Sequence, residues 1–468
     1  MGRCLPRWDF IMVTSAGTSI PDLDAFRGGC RLPCKADVGS RRIDRLLGDE
    51  FGLRSRLGEV SAVAAVPLAA RSYPIADEGG LLDRIASDAP FAWVRDGEGL
   101  VGWGEAARID LHGPDRFAAA EMWWAQVRAG LSIDDAVGVA GSGPVAFASF
   151  AFDPDGAQSV LVMPKVVFGA RSGQCWVTLI GGAEELTAPA ADWPAVTAVS
   201  FADGALTPRQ WVSSVANAVR RIQAGELEKV VLARDLIATA AAPIDQGRLL
   251  RQLAVRYPSC WSFAVDGLVG STPELLVGRL GGAVTSRVLA GTVKRFGDEV
   301  VDAEQAQALM RSEKDRLEHR FAVRSVQAVL AEHCSELDVP AEPQVLSLAN
   351  VQHLATELTG RLVDAATVLT LAAAIHPTAA VCGTPTATAL TVIRELEGMD
   401  RDRYAGPVGW LGSDGDGEFG IALRCALIQG RQARLFAGCG IVAQSDPEAE
   451  LAESDAKLVA MRDALEVN

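Results

Sequence analysis

At 468 residues, with 49% hydrophobic and 22% charged side chains, the chain is long enough for two or three average domains or one large α+β unit, and its composition is that of a folded globular protein. A formal charge of −15 repels a phosphate backbone, and no Lys/Arg cluster interleaved with aromatics offsets it, so a nucleic-acid partner is not expected. No apolar stretch reaches the roughly 18 to 20 residues of a bilayer span, so no membrane partner is expected either.

The first thirty or so residues read as a leader. The apolar run Phe10 to Val13 is too short for a signal-peptide core, and Met12 is an alternative start. Nine cysteines without a secretory signal read as reduced thiols in the cytoplasm. Cys30 and Cys34 lack a second Cys/His pair at zinc-ligand spacing. A mixed charged and apolar pattern predicts a helix over 41–56. Beyond it, the apolar runs Val60 to Leu68 and Phe91 to Val94 read as strands. Asp96-Gly97, Gly102 with Gly104, and Asp153-Pro-Asp-Gly156 read as hairpin signals. The chain thus divides into a leader with a first helix over 1–55, a β-rich N-terminal subdomain over 56–200, with an Ala/Pro-rich linker at 188–195, and a C-terminal region over 205–465.

In that region Thr207-Pro208 caps a helix that ends near Gly225. A strand follows over 228–238. Runs at 261–265, 268–271, 274–280 and 283–289 form a meander punctuated by Asp266-Gly267 and Gly281-Gly282. Long helices are predicted at 302–334, 385–397 and 447–466. Strands and helices are grouped more than alternated, which argues for an α+β fold with antiparallel sheets.

The last helix carries the chemistry most plainly. Ser445-Asp446-Pro447 supplies a cap and a first-turn proline. Glu450, Glu453 and Lys457 share one stripe, while Asp455, Arg462 and Glu466 form another. Leu451, Leu458, Met461 and Leu465 lie between the two and read as core. The charged stripe is either a pocket wall or a solvated salt-bridge ladder. Glu318 shares a helix face with Phe321, Ala322, Ser325 and Val329, opposite Arg316, Arg320, Arg324 and Gln327. An inward carboxylate is paired, protonated or bound to a cation. Two such glutamates on separate helices suit either a Mg²⁺ site or a structural ion pair. Thr384-Pro385, at a helix start, and Gly438-Cys439-Gly440 would each let backbone meet an anion, and both also suit ordinary turns. Asp414-Gly-Asp-Gly-Glu418 reads as a hairpin turn, since most of a calcium loop is missing.

Together, in order, Glu228-Lys-Val-Val-Leu-Ala-Arg234, Pro273-Glu-Leu-Leu276, Leu289-Ala-Gly-Thr292, Glu318-His319, Val351-Gln-His353, His376-Pro-Thr378, Cys382-Gly383, Tyr404-Ala-Gly-Pro-Val-Gly409, Ile421-Ala-Leu-Arg424, Ala437-Gly-Cys-Gly-Ile441 and Glu450-Leu-Ala-Glu453 with Lys457 resemble the chorismate-utilising enzymes. The resemblance is strong over 205–465 and looser over 56–187. It implies antiparallel sheets packed as a sandwich with helices outside, as in anthranilate synthase component I. It also implies Mg²⁺ as cofactor, Lys229 as general base and Glu274 as general acid. Glu318 and Glu453 would be metal ligands, with Glu450 a possible third. Gly291, Thr292, Ala380, Arg424, Gly438 and Lys457 would contact the substrate, with His353 nearby. Moving a hydroxyl from C4 to C2 of chorismate needs one group to deprotonate water and another to protonate the departing hydroxyl. A lysine serves as base only if its pKa is lowered, and a glutamic acid as donor only if its pKa is raised. Read alone, Lys229 would be a surface strand lysine.

Within the family, Ala290 stands where aminodeoxychorismate synthases that form a covalent intermediate place a lysine. Ala380 stands where amine-adding relatives carry threonine, and His376-Pro-Thr378 replaces their Phe-Pro-Ala. Isochorismate synthase is therefore the expected activity, with water as nucleophile. Salicylate synthase, an amine-adding enzyme and a silent chorismate-binding paralogue are the alternatives. Thr272, the string Val293-Lys294-Arg295-Phe296 and Gln444 depart from the usual pattern. Whether the product feeds menaquinone or a salicylate-type siderophore is open from the sequence, and a monomer is expected.

Overall fold

The computed structural model describes residues 68–76, 79–86, 89–183 and 198–466. The leader with Cys4, Met12, Cys30 and Cys34, the helix at 41–56, the linker at 188–195 and nearly all of the run Val60 to Leu68 lie outside them.

The spine of the molecule is the strand Lys229–Ala240, which pairs antiparallel with Gln432–Ile441 along most of its length. Gly438 stands opposite Ala233 in that register, and Gly440 opposite Val231. At its start the same strand pairs with the short strand Gly383–Thr384. A second ribbon joins Ala283–Lys294 to Val351–Leu362. Its register slips between Ala290 and Thr292, where Gly291 takes φ +76°. This bulge turns the backbone toward the helix behind it, since a Cβ at Gly291 would stand 2.9 Å from the Asp315 Cβ.

Strands from the two halves of the sequence are paired with one another. Phe91–Arg95 pairs with Trp261–Val265, and Val145–Ser149 pairs with Pro407–Gly412. Every described pairing is antiparallel except that of Leu68–Pro74 with Leu131–Asp135. The α+β expectation therefore holds. Two apolar cores lie against the strands. One takes Trp211, Ala322, Val326 and Val392 from helices, and the other takes Leu250, Leu253, Leu458 and Met461.

The helices Pro208–Gln223, Thr386–Leu396 and Pro447–Glu466 fall where the sequence places them. The long helix expected at 302–334 is instead two, Glu299–Arg311 and Glu313–His333. Ser312 adopts an extended conformation between them, and its hydroxyl accepts a hydrogen bond from the Asp315 amide, as an N-cap serine does. Three further helices, Arg116–Ala129, Gln246–Arg256 and Val368–Ile375, were not anticipated. Gly102 and Gly104 do not form a hairpin but lie inside the strand Glu98–Leu111. There a Cβ on Gly102 would stand 2.7 Å from the Val166 carbonyl oxygen across the sheet. Asp414 to Asp416 form the hairpin turn between Pro407–Gly412 and Gly417–Ile421. No helix among the described residues is long and apolar enough to cross a membrane.

Candidate active site

Lys229 opens the spine strand and is fully buried. Strand alternation puts it on the same face as Val231 and Ala233, both also buried. Its Nζ lies 3.3 Å from Glu318 Oε1 but makes no hydrogen bond among the described residues. Glu318 descends from the helix Glu313–His333, and the space it fills exists because residue 440 is glycine: a Cβ there would overlap Glu318 Oε1 at 1.8 Å.

Glu274 precedes the strand Leu275–Leu280 and is buried. Burial raises its pKa to about 8, opposed by a backbone hydrogen bond and by the charges of Lys229 and Lys457. The hydrogen bond comes from the Leu289 amide, 3.4 Å from Glu274 Oε1. Near neutral pH this carboxyl holds its proton.

The C-terminal helix turns its charged stripe inward, as a pocket wall would. Glu450 is almost wholly buried, and the side chains of Glu453 and Lys457 are exposed only to 21% and 17%. Lys457 lies 2.7 Å from Glu453 and donates to the Gly438 carbonyl at 2.9 Å. Burial works against the ionised Glu453, yet Lys457 and Lys314 hold its pKa below the ordinary value. Burial and the neighbouring Glu453 charge push Glu450 up to about 7, although Lys314 bonds to it. Among the described residues, Cys439, Glu450 and Glu453 form the one group of three or more donors close enough to share a cation, with ligand atoms within 4.8 Å of one another. Glu318 is not in that trio, but it shares electrostatic neighbours with Glu453, since both act on Lys314 and Asp315.

The cleft is lined by Glu274, Glu318, Gly291, Thr292, His353, Ala380, Arg424, Gly438 and Lys457. These include every residue expected to contact substrate. Its free volume is about 70 Å³, on a scale where one water needs about 10 to 15 Å³, so it suits a small ring-sized molecule. Arg424 is itself buried and has φ +48°. Its guanidinium lies 2.8 Å from His353 Nε2. An arginine only donates, so Nε2 accepts and Nδ1 carries the proton, facing the Thr292 hydroxyl at 3.1 Å and the Gly291 carbonyl at 3.3 Å. Burial, with Arg424 and Lys457 nearby, holds the His353 pKa well below its usual value. Arg424 and Lys457 thus bring positive charge to the recess of an otherwise acidic protein.

The helix start at Thr384-Pro385 does not line this cleft. His376 is directed away from it, toward the Phe152 carbonyl. Sequence reasoning assigned no role to Tyr404, Leu289, Val381, Leu423 or Phe436, which are also part of the lining. Tyr404 stacks on Phe436 with ring centroids 5.0 Å apart. It also missed a brace behind the lining. Arg401 bonds to Glu397, to the Val381 carbonyl at 2.7 Å and to the Val231 carbonyl at 2.8 Å. Glu397 in turn accepts from the Ala233 amide.

A family model described as chorismate binding enzyme matches residues 87–466. The chain is 35% identical over 412 residues to the salicylate biosynthesis isochorismate synthase of Pseudomonas aeruginosa, covering 80% of this chain and 84% of the relative. It is 41% identical over 273 residues to isochorismate synthase DhbC of Bacillus subtilis, covering 56% and 69%. Among solved structures it is similar to MenF, the menaquinone-specific isochorismate synthase of Escherichia coli, at 28% identity and a TM-score of 0.71. That match covers 86% of this chain and 96% of the other.

Proposed function

Since the chain belongs to the chorismate-binding enzymes, we infer that it is an isochorismate synthase, adding water at C2 of chorismate and expelling the C4 hydroxyl. The observation that carries the chemistry is a fully buried lysine, Lys229, in the same interior as a glutamic acid, Glu274, kept protonated by burial. Water addition and hydroxyl loss need a base and an acid present together. Lys229 takes the proton of the attacking water. Glu274 gives its proton to the departing hydroxyl, so water enters and water leaves. Glu318 positions the Lys229 amine.

The dianionic substrate is held by Arg424, Lys457 and the backbone at Gly291 and Gly438, with Thr292 fixed through His353. Ala380 leaves room beside the ring for water. The buried carboxylates, each beside a lysine, fit a magnesium ion, which Glu318 and Glu453 would hold with Glu450 as a third ligand. When bound, the ion would neutralise a substrate carboxylate and fix its place. The free cysteines of the described residues, all buried or half-buried, accord with a reducing cytoplasm, and we take the enzyme to act as a monomer.

The test is incubation of the purified protein with chorismate, with and without Mg²⁺, and chromatography of the products. Magnesium-dependent isochorismate without pyruvate is expected. Salicylate with pyruvate would reassign it as a salicylate synthase, and binding without turnover would make it a silent paralogue.

A further inference from the structure

His319 is 3% exposed yet does not line the cleft. It follows Glu318 on the helix Glu313–His333, and one step around the helix axis directs it to the ribbon of Ala283–Lys294 and Val351–Leu362. There its Nε2 lies 2.8 Å from the Thr356 hydroxyl. Its Nδ1 makes no well-formed hydrogen bond among the described residues, although the Ala290 backbone acts on it. Burial, with Lys229 nearby, holds the ring pKa down at about 4, so the imidazole is neutral and has one donor and one acceptor nitrogen. A backbone group that favours the protonated ring is a carbonyl. Nδ1 therefore carries the proton, and Nε2 accepts from Thr356.

These contacts fall beside the bulge that turns Gly291 toward the helix. Ala290 immediately precedes Gly291, at the point where the register slips. Asp315 lies four residues before His319, on the same helix stripe, and it is the Asp315 Cβ that a side chain at Gly291 would meet at 2.9 Å. On the other side of the bulge, His353 faces the Gly291 carbonyl and the Thr292 hydroxyl. Further along the same helix, the Ser325 hydroxyl accepts from the Ala379 amide, next to Ala380. One helix thus carries Glu318 and sets the place of the backbone that meets substrate. A misplacement of about 1 Å in such a constellation can cost about 10²-fold in rate. A buried donor left incompletely engaged is the kind of contact that tightens when a site fills.

We propose that His319 is a positioning residue for this reaction: its Nδ1–H, given to the Ala290 carbonyl, locks the Gly291 bulge to the helix that bears Glu318, so that magnesium and chorismate favour each other's binding. This rests on the reading of Glu318 as a magnesium ligand and of Gly291 and Thr292 as substrate contacts. A helix steadied at Glu318 presents the bulge in place, and a bulge steadied by substrate holds the helix. The coupling runs equally in both directions. It adds to whatever the ion gains by meeting a substrate carboxylate directly, and that direct share does not pass through His319.

The experiment is calorimetric titration of chorismate into the full chain, with and without Mg²⁺, in a Glu274→Gln background that spares the chorismate from turnover. The readout is the ratio of the two dissociation constants. His319→Leu should shrink that ratio by about tenfold, whereas a loss of packing alone weakens both affinities alike and leaves the ratio where it was. His319→Asn, whose amide N–H stands where Nδ1–H stood, should bring the ratio back close to the parent value. Should His319→Leu fail to fold, Thr356→Val keeps the shape, removes only the hydroxyl at Nε2 and frees the ring to turn; the ratio should again fall. A ratio unmoved in these variants, or His319→Asn behaving like His319→Leu, overturns the proposal and leaves the magnesium reading in place. A parent whose chorismate affinity ignores Mg²⁺ overturns the magnesium reading and the proposal with it.

Discussion

Lys229 Nζ and Glu318 Oε1 face each other at 3.3 Å in the interior, and among the described residues the lysine has no other charged partner within ion-pair distance. Removing either partner leaves the other as a buried polar group without its neighbour, whereas removing both does not. Lys229→Met should lower isochorismate formation by about 10²- to 10⁴-fold and destabilise the fold by up to roughly 3 kcal/mol. The double variant Lys229→Met/Glu318→Gln should recover the melting temperature but not the activity. Chromatographic rates and thermal melts separate the two effects.

Gly440→Ala should leave the fold nearly intact and disable the site. The added methyl meets the end of the Glu318 side chain at 1.8 Å, and a carboxylate on a flexible stem moves more cheaply than backbone. Glu318 then loses its place beside Lys229. A melting temperature within a few degrees of the parent, with turnover down at least roughly tenfold, is the expected result; full turnover would remove Glu318 from the machinery.

The Glu274 pKa, raised to about 8 by burial, sets an alkaline limit. The acid must hold its proton, so turnover should fall as pH rises through about 8, and Glu274→Gln should lose most activity along with that limb. The stability effect has a definite sign. The folded state keeps a proton that the unfolded state releases above its ordinary carboxylate pKa, so folding weakens between that range and about 8, by at most about 1.4 kcal/mol per pH unit. Glu274→Gln should flatten that slope in denaturant melts across pH.

Glu453→Gln should raise the magnesium needed for half-maximal activity by roughly tenfold or more, since one charged oxygen ligand is lost. Lys457 would lose its partner at the same time. A magnesium titration of thermal stabilisation, with chorismate present, checks the ligand role independently of turnover. An unchanged titration would refute it.

Arg401→Met tests the brace behind the lining. Its partner Glu397 is 1% exposed, so the variant leaves a buried carboxylate with one remaining backbone donor. A loss of about 3 to 5 kcal/mol is expected, read by urea melts. The double variant Arg401→Met/Glu397→Gln should recover part of it.

The sequence showed most of what lies on one element and little of what lies between two. The stripe Glu450, Glu453, Lys457 is legible from helical spacing, because the apolar sector between it and Asp455, Arg462 and Glu466 can be read directly, but only its burial decides between a pocket wall and a solvated ladder. The long helix was misjudged at Ser312, where a cap in mid-pattern looks like any other polar residue. Glu397 and Arg401, four apart, look like a surface pair, and only the carbonyls of Val231 and Val381 closing over Arg401 reveal a buried one. Cys439 reads in the sequence only as part of the glycine-rich string Gly438-Cys439-Gly440. Its nearness to Glu450 and Glu453 depends on where the last helix docks, which no local pattern encodes.

The pairing of Phe91–Arg95 with Trp261–Val265 and of Val145–Ser149 with Pro407–Gly412 makes the cleft non-portable. A fragment beginning near residue 205 would retain all the chemistry-bearing side chains but leave two strand edges bare, with no Phe147 or Phe150 to back Pro407–Gly412. Such a piece invites edge-to-edge aggregation. Grafting this active site onto another scaffold would therefore require the front half of the chain to travel with it, although that half donates none of the lining residues.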